Sequence, residues 1–176
     1  MSILPEAAKK YIGLQSEVQV ACDLVEKGAV RRFAQAIMNE DPIFDAECAN
    51  NERYGGPVAP PLYPTHLFRR AFGTPDPIQL NARNPDFDGI DGAGSMWGLP
   101  EIEPLKGMAI INGGTEIEFF RYARHGESVT VSSRYADITE KQTSKGPIVL
   151  VLIESTHRNG DGELLIRVKF TAIRRK

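Results

Sequence analysis

Cysteine is scarce in this chain. Its two copies, Cys22 and Cys48, sit in apolar-looking contexts with neither a CxxC spacing nor a histidine pattern around them. That argues against a disulfide framework or a thiolate zinc site and makes a reducing cytoplasm the expected location. Long apolar runs are missing too. No stretch approaches the roughly 18 residues of a membrane-spanning helix, and the N-terminal "MSILPEAAKKYIGLQS" lacks the apolar core of a signal peptide. Charge of one sign is equally absent. A net charge of -2 gives no footprint for a polyanionic partner. Basic residues gather locally, as at Arg31-Arg32, Arg69-Arg70 and Arg174-Arg175-Lys176, which read as solvated surface. The expectation is a soluble protein with neither nucleic acid nor membrane as partner. Internal repeats and low-complexity tracts are lacking as well. What remains is 176 residues, 41% of them hydrophobic, enough for one core and hence a single domain over 1–176.

The patterning predicts an α+β domain. Residues 17–24, "EVQVACDL", suit a short strand with Val18, Val20 and Cys22 on one face. Val30, Phe33, Ala34 and Ile37 then recur at helical spacing, and Pro42 interrupts the backbone. A second helix is expected after Pro61. Tyr63, Leu67, Phe68, Ala71 and Phe72 would give it a broad apolar surface suited to crossing the core, and Gly73 would stop it. From Ile110 onward strand follows strand: 115–123, 128–139, 148–158 and 163–175, read as a four-strand antiparallel meander. "NGDG" is a hairpin signal before the last strand. The "NGG" at 112–114 precedes a strand rather than a helix, so it suits close backbone packing better than a phosphate loop.

Between the expected core helix and the strands lie 35 residues, Thr74 to Met108, rich in proline and glycine and without a period. So long a loop in a compact domain calls for a function. Trp97, Met96, Phe87 and Leu99 favour an ordered flap or interface arm over a solvated loop. Asp86, Asp88 and Asp91 lack the spacing of a calcium loop, and no metal is expected.

Four segments together resemble the MaoC-like dehydratases, and more narrowly the N-terminal, fatty-acid-synthase-like dehydratase half of that family. They are "AVRRFAQAIMNEDPIF", "GGPVAPPLYPTHLF", "INGGTEIEFFRYARHGESVTVSSRYADITEK" and "GELLIRVKFTAIRR". The likeness runs from Glu17 to Arg175, with 74–108 as an elaboration. It implies a hot-dog fold, an antiparallel sheet wrapped around a central helix. It also implies acyl thioesters of CoA or acyl carrier protein as substrates, reversible hydration of a trans-2-enoyl group, and no cofactor. Active members carry a motif near Asp-x-Asn-Pro-Ile-His and, later, Ala-His-Gly. Their Asp and His bind water and move protons, and the Gly N–H polarises the thioester carbonyl.

This chain departs from that pattern at three places. Asn39 stands for the Asp, Phe44 for the His and Pro61 for the Gly. An amide does not take a proton near neutral pH, a phenyl ring can neither donate nor accept one, and proline has no N–H. The resemblance therefore implies a non-catalytic half or subunit, with a MaoC-like catalytic subunit as partner in a heterodimer or heterotetramer. Two alternatives stay open: a self-sufficient homodimer using His66 or Asp41, and an acyl-thioester binding protein without turnover. His66, with Arg70 one turn away, is the candidate replacement acid–base group, although a structural histidine is the simpler reading. His125 and His157 read as solvent-facing. Trp97, Met96, Phe87 and Tyr63 are the candidate substrate contacts, suited to a bulky steroid or aromatic acyl group. Arg121, Arg124 and Arg134 would be within the reach of CoA phosphates or simply exposed.

Overall fold

The computed structural model describes residues 2–39, 41–45, 52–68, 73–75, 77–85 and 97–175. Five strands form one antiparallel sheet: β1 (Gln19–Val20), β2 (Ala109–Phe119), β3 (Val129–Thr143), β4 (Gly146–Asn159) and β5 (Leu164–Arg175). Their order is β1-β3-β4-β5-β2. Among the described residues two α-helices accompany them, α1 (Lys27–Ala36) and α2 (Pro77–Asn81).

The meander therefore holds three strands, β3 to β5, and not four. β2 pairs with β5 at the far edge. Segment 97–108 explains the placement: it packs over the inner face beside β5, with Trp97 stacked on Phe170 at 5.0 Å, and so delivers the chain to the free edge of β5. The polar stretch expected to link 139 to 148 is mostly strand. β3 and β4 run on to a turn at Thr143–Gly146, where the Thr143 hydroxyl donates to the Gly146 carbonyl oxygen and accepts from the Lys145 N–H. "NGDG" makes the β4–β5 turn, with Gly162 at φ +82 and the Asn159 side chain accepting from the Glu163 N–H. The "NGG" site is a bulge in β2. A Cβ on Gly113 would come within 2.9 Å of Ile173 and of the Thr171 carbonyl oxygen, so only glycine fits.

Alternation along β4 sorts the faces. Val149, Val151, Ile153, Ser155, His157 and Asn159 are buried on the inner face, while their even-numbered neighbours are more open. The inner face carries two apolar clusters. One joins Val151, Ile153 and Tyr135 to Leu99, Ile102, Leu105 and Met108. The other joins Leu165 and Ile166 to Val30 of α1 and to Tyr63 and Leu67. Between them Ser133 and Ser155 share a hydroxyl hydrogen bond of 2.8 Å, which satisfies both groups away from water. The N-terminal segment crosses the first cluster, held by the Glu140 carboxylate, which accepts from the Ile3 and Leu4 N–H groups.

Several expectations need correcting. The first strand shrinks to the two residues Gln19 and Val20, paired with Val131 and Thr130 of β3, and Val18, Val20 and Cys22 lie exposed. His157 is not outward-facing. It shares the inward parity of Ile153 and lies buried beside Phe68. His125 is half-buried, not solvent-facing, because its backbone N–H pairs with the Pro57 carbonyl oxygen. Arg174 is no solvated surface residue, since it continues the inward parity of Phe170 and Ala172. After Pro61 the described backbone is a four-residue 3-10 turn, Tyr63–His66, and not an α-helix. Pro64 has no N–H, and the neighbouring amides close i to i-3 bonds: Tyr63 to Pro60, Thr65 to Leu62. The continuation through Arg69, Arg70, Ala71 and Phe72 lies outside the described residues, as does Cys48. The stretch from Trp97 to Met108 is core wall rather than flap, with Leu99, Ile102 and Leu105 buried.

Candidate functional site

The corner at Asn39 is built by the end of α1. Met38 takes a left-handed backbone (φ 54), its N–H donates to the Gln35 carbonyl oxygen, and the Asn39 N–H donates to that of Ala34 at 2.9 Å. This pair of bonds closes the helix and turns the chain. The Asn39 side-chain oxygen then accepts from the Asp41 N–H at 3.0 Å, and the Asp41 carboxylate accepts from the Ile43 N–H at 3.1 Å. Asp41 thus starts the 3-10 turn Pro42–Phe44. Phe44 points inward. It is only 6% exposed and meets Tyr122 edge-on at 6.0 Å, with Tyr54 beyond. Asn39, Asp41 and Phe44 line an open groove of about 580 Å³ together with Lys27, Arg31 and Met38. The amide, the carboxylate and the ring are each engaged in local structure.

Backbone donors are missing next. The Ala59 N–H donates to the Ala123 carbonyl oxygen at 2.8 Å, and Pro60 and Pro61 have none to offer. Nothing from 59 to 61 can polarise a carbonyl. His66 is exposed and packs on Phe33 with ring centroids 4.7 Å apart, and it does not line the groove. Tyr63 is part of the core, edge-on to Phe33 at 5.5 Å, with burial raising its pKa. It borders neither this groove nor the cavity described next.

That second cavity lies on the inner face at the other apolar cluster. It measures about 320 Å³ and is walled by Trp97, Ile102, Tyr135, Ile153, Phe170 and Arg174, among others. The Trp97–Phe170 stack, 25° from parallel, forms one wall, and such a pair contributes about 0.5–1.5 kcal/mol beyond its burial. The Tyr135 hydroxyl donates to the Pro100 carbonyl oxygen at 2.7 Å and ties segment 97–108 to the sheet. Of the expected substrate contacts, then, Trp97 borders an apolar cavity and Tyr63 does not. Phe87 and Met96 lie outside the described residues, as do Asp86, Asp88 and Asp91. Among the described residues no cluster of His, Cys, Asp or Glu could hold a metal ion. The three arginines considered for CoA phosphates are ion-paired: Arg121 with Glu127 and Glu163, Arg124 with Glu127, Arg134 with Glu154. Sequence reasoning missed Ile102, Tyr135 and Arg174. Strand parity was the signal for Arg174.

A protein-family model, "FAS1-like, dehydratase domain region", matches residues 11–168. The chain belongs to that family. This FAS1-like dehydratase region also shares its fold with solved hot-dog proteins. The ChsH1-ChsH2 complex from Mycobacterium tuberculosis aligns over 97% of this chain and 90% of its own, at 23% identity and TM-score 0.67. A MaoC-like dehydratase from Rhodospirillum rubrum aligns over 94% and 92%, at 21% identity and TM-score 0.58. The HadBC (3R-hydroxyacyl-ACP dehydratase) complex, also from Mycobacterium tuberculosis, aligns over 93% and 98%, at 16% identity and TM-score 0.53. A search of curated proteins finds no match. The fold class expected from the motifs, α+β and hot-dog, is the one observed. No helix among the described residues is long and apolar enough to cross a membrane.

Proposed function

We propose that this FAS1-like dehydratase chain is the non-catalytic subunit of an (R)-specific enoyl-CoA hydratase or, in the reverse direction, a 3-hydroxyacyl-thioester dehydratase. In the forward reaction hydroxide joins C3 of a trans-2-enoyl thioester and a proton joins C2. In the reverse, water leaves. No electrons are exchanged and no cofactor takes part; CoA or acyl carrier protein only carries the acyl group. The reaction needs a proton-transfer group with a pKa near the working pH and donors for the thioester oxygen. One observation carries the reading. The corner keeps its turn, yet Asn39 and Phe44 serve backbone and core, and 59–61 offers no free N–H.

A MaoC-like catalytic subunit would supply the Asp and His in a heterodimer or dimer of heterodimers. This chain would add a wall of the acyl pocket, with Trp97 and the cavity behind it suited to a bulky steroid or aromatic acyl group. ChsH1-ChsH2 and HadBC are themselves complexes, which supports a partnered reading. The test is an enoyl-CoA hydration assay, followed by loss of enoyl absorbance, on the chain alone and with a MaoC-like partner. Activity is expected only from the pair, and full activity of the chain alone overturns the reading.

A further inference from the structure

One positive charge on the inner face makes no ion pair among the described residues. Arg174 lies on β5, opposite Val149 on one side and Ile110 on the other, and its side chain is part of the lining of the 320 Å³ cavity. Its Nη1 makes one long bond, 3.4 Å, to the Met108 carbonyl oxygen. Its Nε is sealed from water without an acceptor. Glu101, whose field reaches the guanidinium, pairs at 3.6 Å with Lys106 instead. Among the described residues no ion pair involves Arg174. Burial lowers its pKa from the ordinary arginine value, as expected for a charge held partly out of water.

Apart from Asn112, whose side-chain oxygen accepts from the Gly114 N–H, and Tyr135, whose hydroxyl is bonded to Pro100, the other walls are apolar. Trp97, Ile102, Val151, Ile153 and Phe170 face the same space. A guanidinium at the edge of such a chamber is costly unless an anion meets it. Strands β2 and β4, which flank it, place Ile110 and Val149 opposite, and neither can neutralise it. The volume falls at the lower end of the range for small-molecule sites. Apolar walls that end in one unneutralised, fork-shaped donor suit a chain that ends in a carboxylate.

We propose that this cavity binds an apolar chain tipped by a carboxylate, with Arg174 as its counter-charge, and that the natural ligand is an acyl group carrying that carboxylate at the end far from its thioester. Naming the ligand as the acyl group rests on the subunit reading above, whereas binding of a carboxylate-tipped chain does not. Chains with a neutral end leave the guanidinium unpaired and bind less tightly.

Trp97 is the sole tryptophan and borders the cavity, so its fluorescence reports occupancy. The full chain would be titrated with octanoate, octan-1-ol and octylammonium, which share a tail and differ in the charge of the head. Octanoate is expected to give a saturable change and to bind about tenfold more tightly than octan-1-ol. Octylammonium should give none. R174M should abolish the advantage of octanoate over octan-1-ol, while R174K should keep part of it. Circular dichroism establishes that each variant folds, and R174Q replaces R174M if that one does not. Equal binding of octanoate and octan-1-ol, or an advantage that survives loss of the charge, overturns the proposal. The hydration assay on the partnered pair separates the two readings. An active pair with no octanoate preference sinks only the carboxylate site, and an inactive pair with the preference intact sinks only the subunit role.

Discussion

Restoring two side chains should not return acid–base chemistry to the Asn39 corner. Phe44 is buried against Tyr122, so an imidazole there would sit in an apolar site built for a ring without polar atoms. The prolines at 60 and 61 would still withhold backbone donors. The double variant N39D/F44H, tested alone, is expected to show no enoyl-CoA hydration. It should also be less stable by about 2 kcal/mol, from the buried polar group and the lost packing. Urea melts and the absorbance assay check both outcomes, and measurable turnover would mean that the corner retains the rest of a working site. One residue earlier the backbone itself is strained. Met38 holds φ 54 while its side chain is 88% exposed. A left-handed backbone costs an L-residue roughly 1 kcal/mol, which glycine avoids. M38G should therefore raise stability by about 0.5–1 kcal/mol in urea, net of the extra freedom glycine gives the unfolded chain. No gain would show that the exposed methionine side chain contributes within the isolated chain.

At the scale of elements, β4 holds a buried group that titrates in the acid range. His157 sits on its inner face between Ser155 and Asn159, and burial pushes its pKa down from 6.5 to about 4. The folded state holds it neutral, while the unfolded chain takes up a proton below about 6.5. Its contribution is thus complete above pH 6.5 and is lost as pH falls toward 4. The loss should amount to about 2–3 kcal/mol by pH 4.5. Urea melts at pH 7 and pH 4.5 would measure it beside H157L, which keeps the carboxylate titrations and removes this one. Equal pH dependence in both proteins would count against the assignment. The same strand shows how much of the fold was legible. Four strands, α1 and the "NGDG" turn follow from period and glycine placement, because those depend on neighbouring residues. The apolar run from Ile148 to Ile153 hides the parity of β4, so the sequence alone does not show that His157 faces inward. Pairing of β2 with β5 was not legible, since it depends on where segment 97–108 packs. At the corner, the absence of an acid–base pair at 39 and 44 is legible from residue types alone. The cavity bounded by Arg174 is not, because it needs β3, β4, β5 and segment 97–108 together.

For the whole molecule the two sheet edges differ. On one side β1 pairs over only two residues, which blunts that edge. On the other, β2 runs for 11 residues as an edge strand, broken only by its bulge between Asn112 and Thr115. Ile111, Phe119 and Phe120 are about half exposed along and just beyond it. Among the described residues no strand pairs with the outer side of β2, and a long edge with aromatic groups at its end favours strand-to-strand association. In the subunit reading this is the surface for the MaoC-like partner. Replacing Phe119 with Asp puts a charge at that edge without disturbing a buried side chain, since Phe119 is 52% exposed. F119D should keep its circular dichroism spectrum and its octanoate binding, because the cavity lies near the opposite end of β2, at Ile110 and Asn112. Co-purification with the partner should fall, and the hydration activity of the pair should fall with it. Analytical ultracentrifugation of the co-expressed chains gives the first readout and the absorbance assay the second. If the complex sediments unchanged with F119D, the partner sits elsewhere, and the exposed apolar residues Val18 and Val20 at the β1 edge become the next surface to substitute.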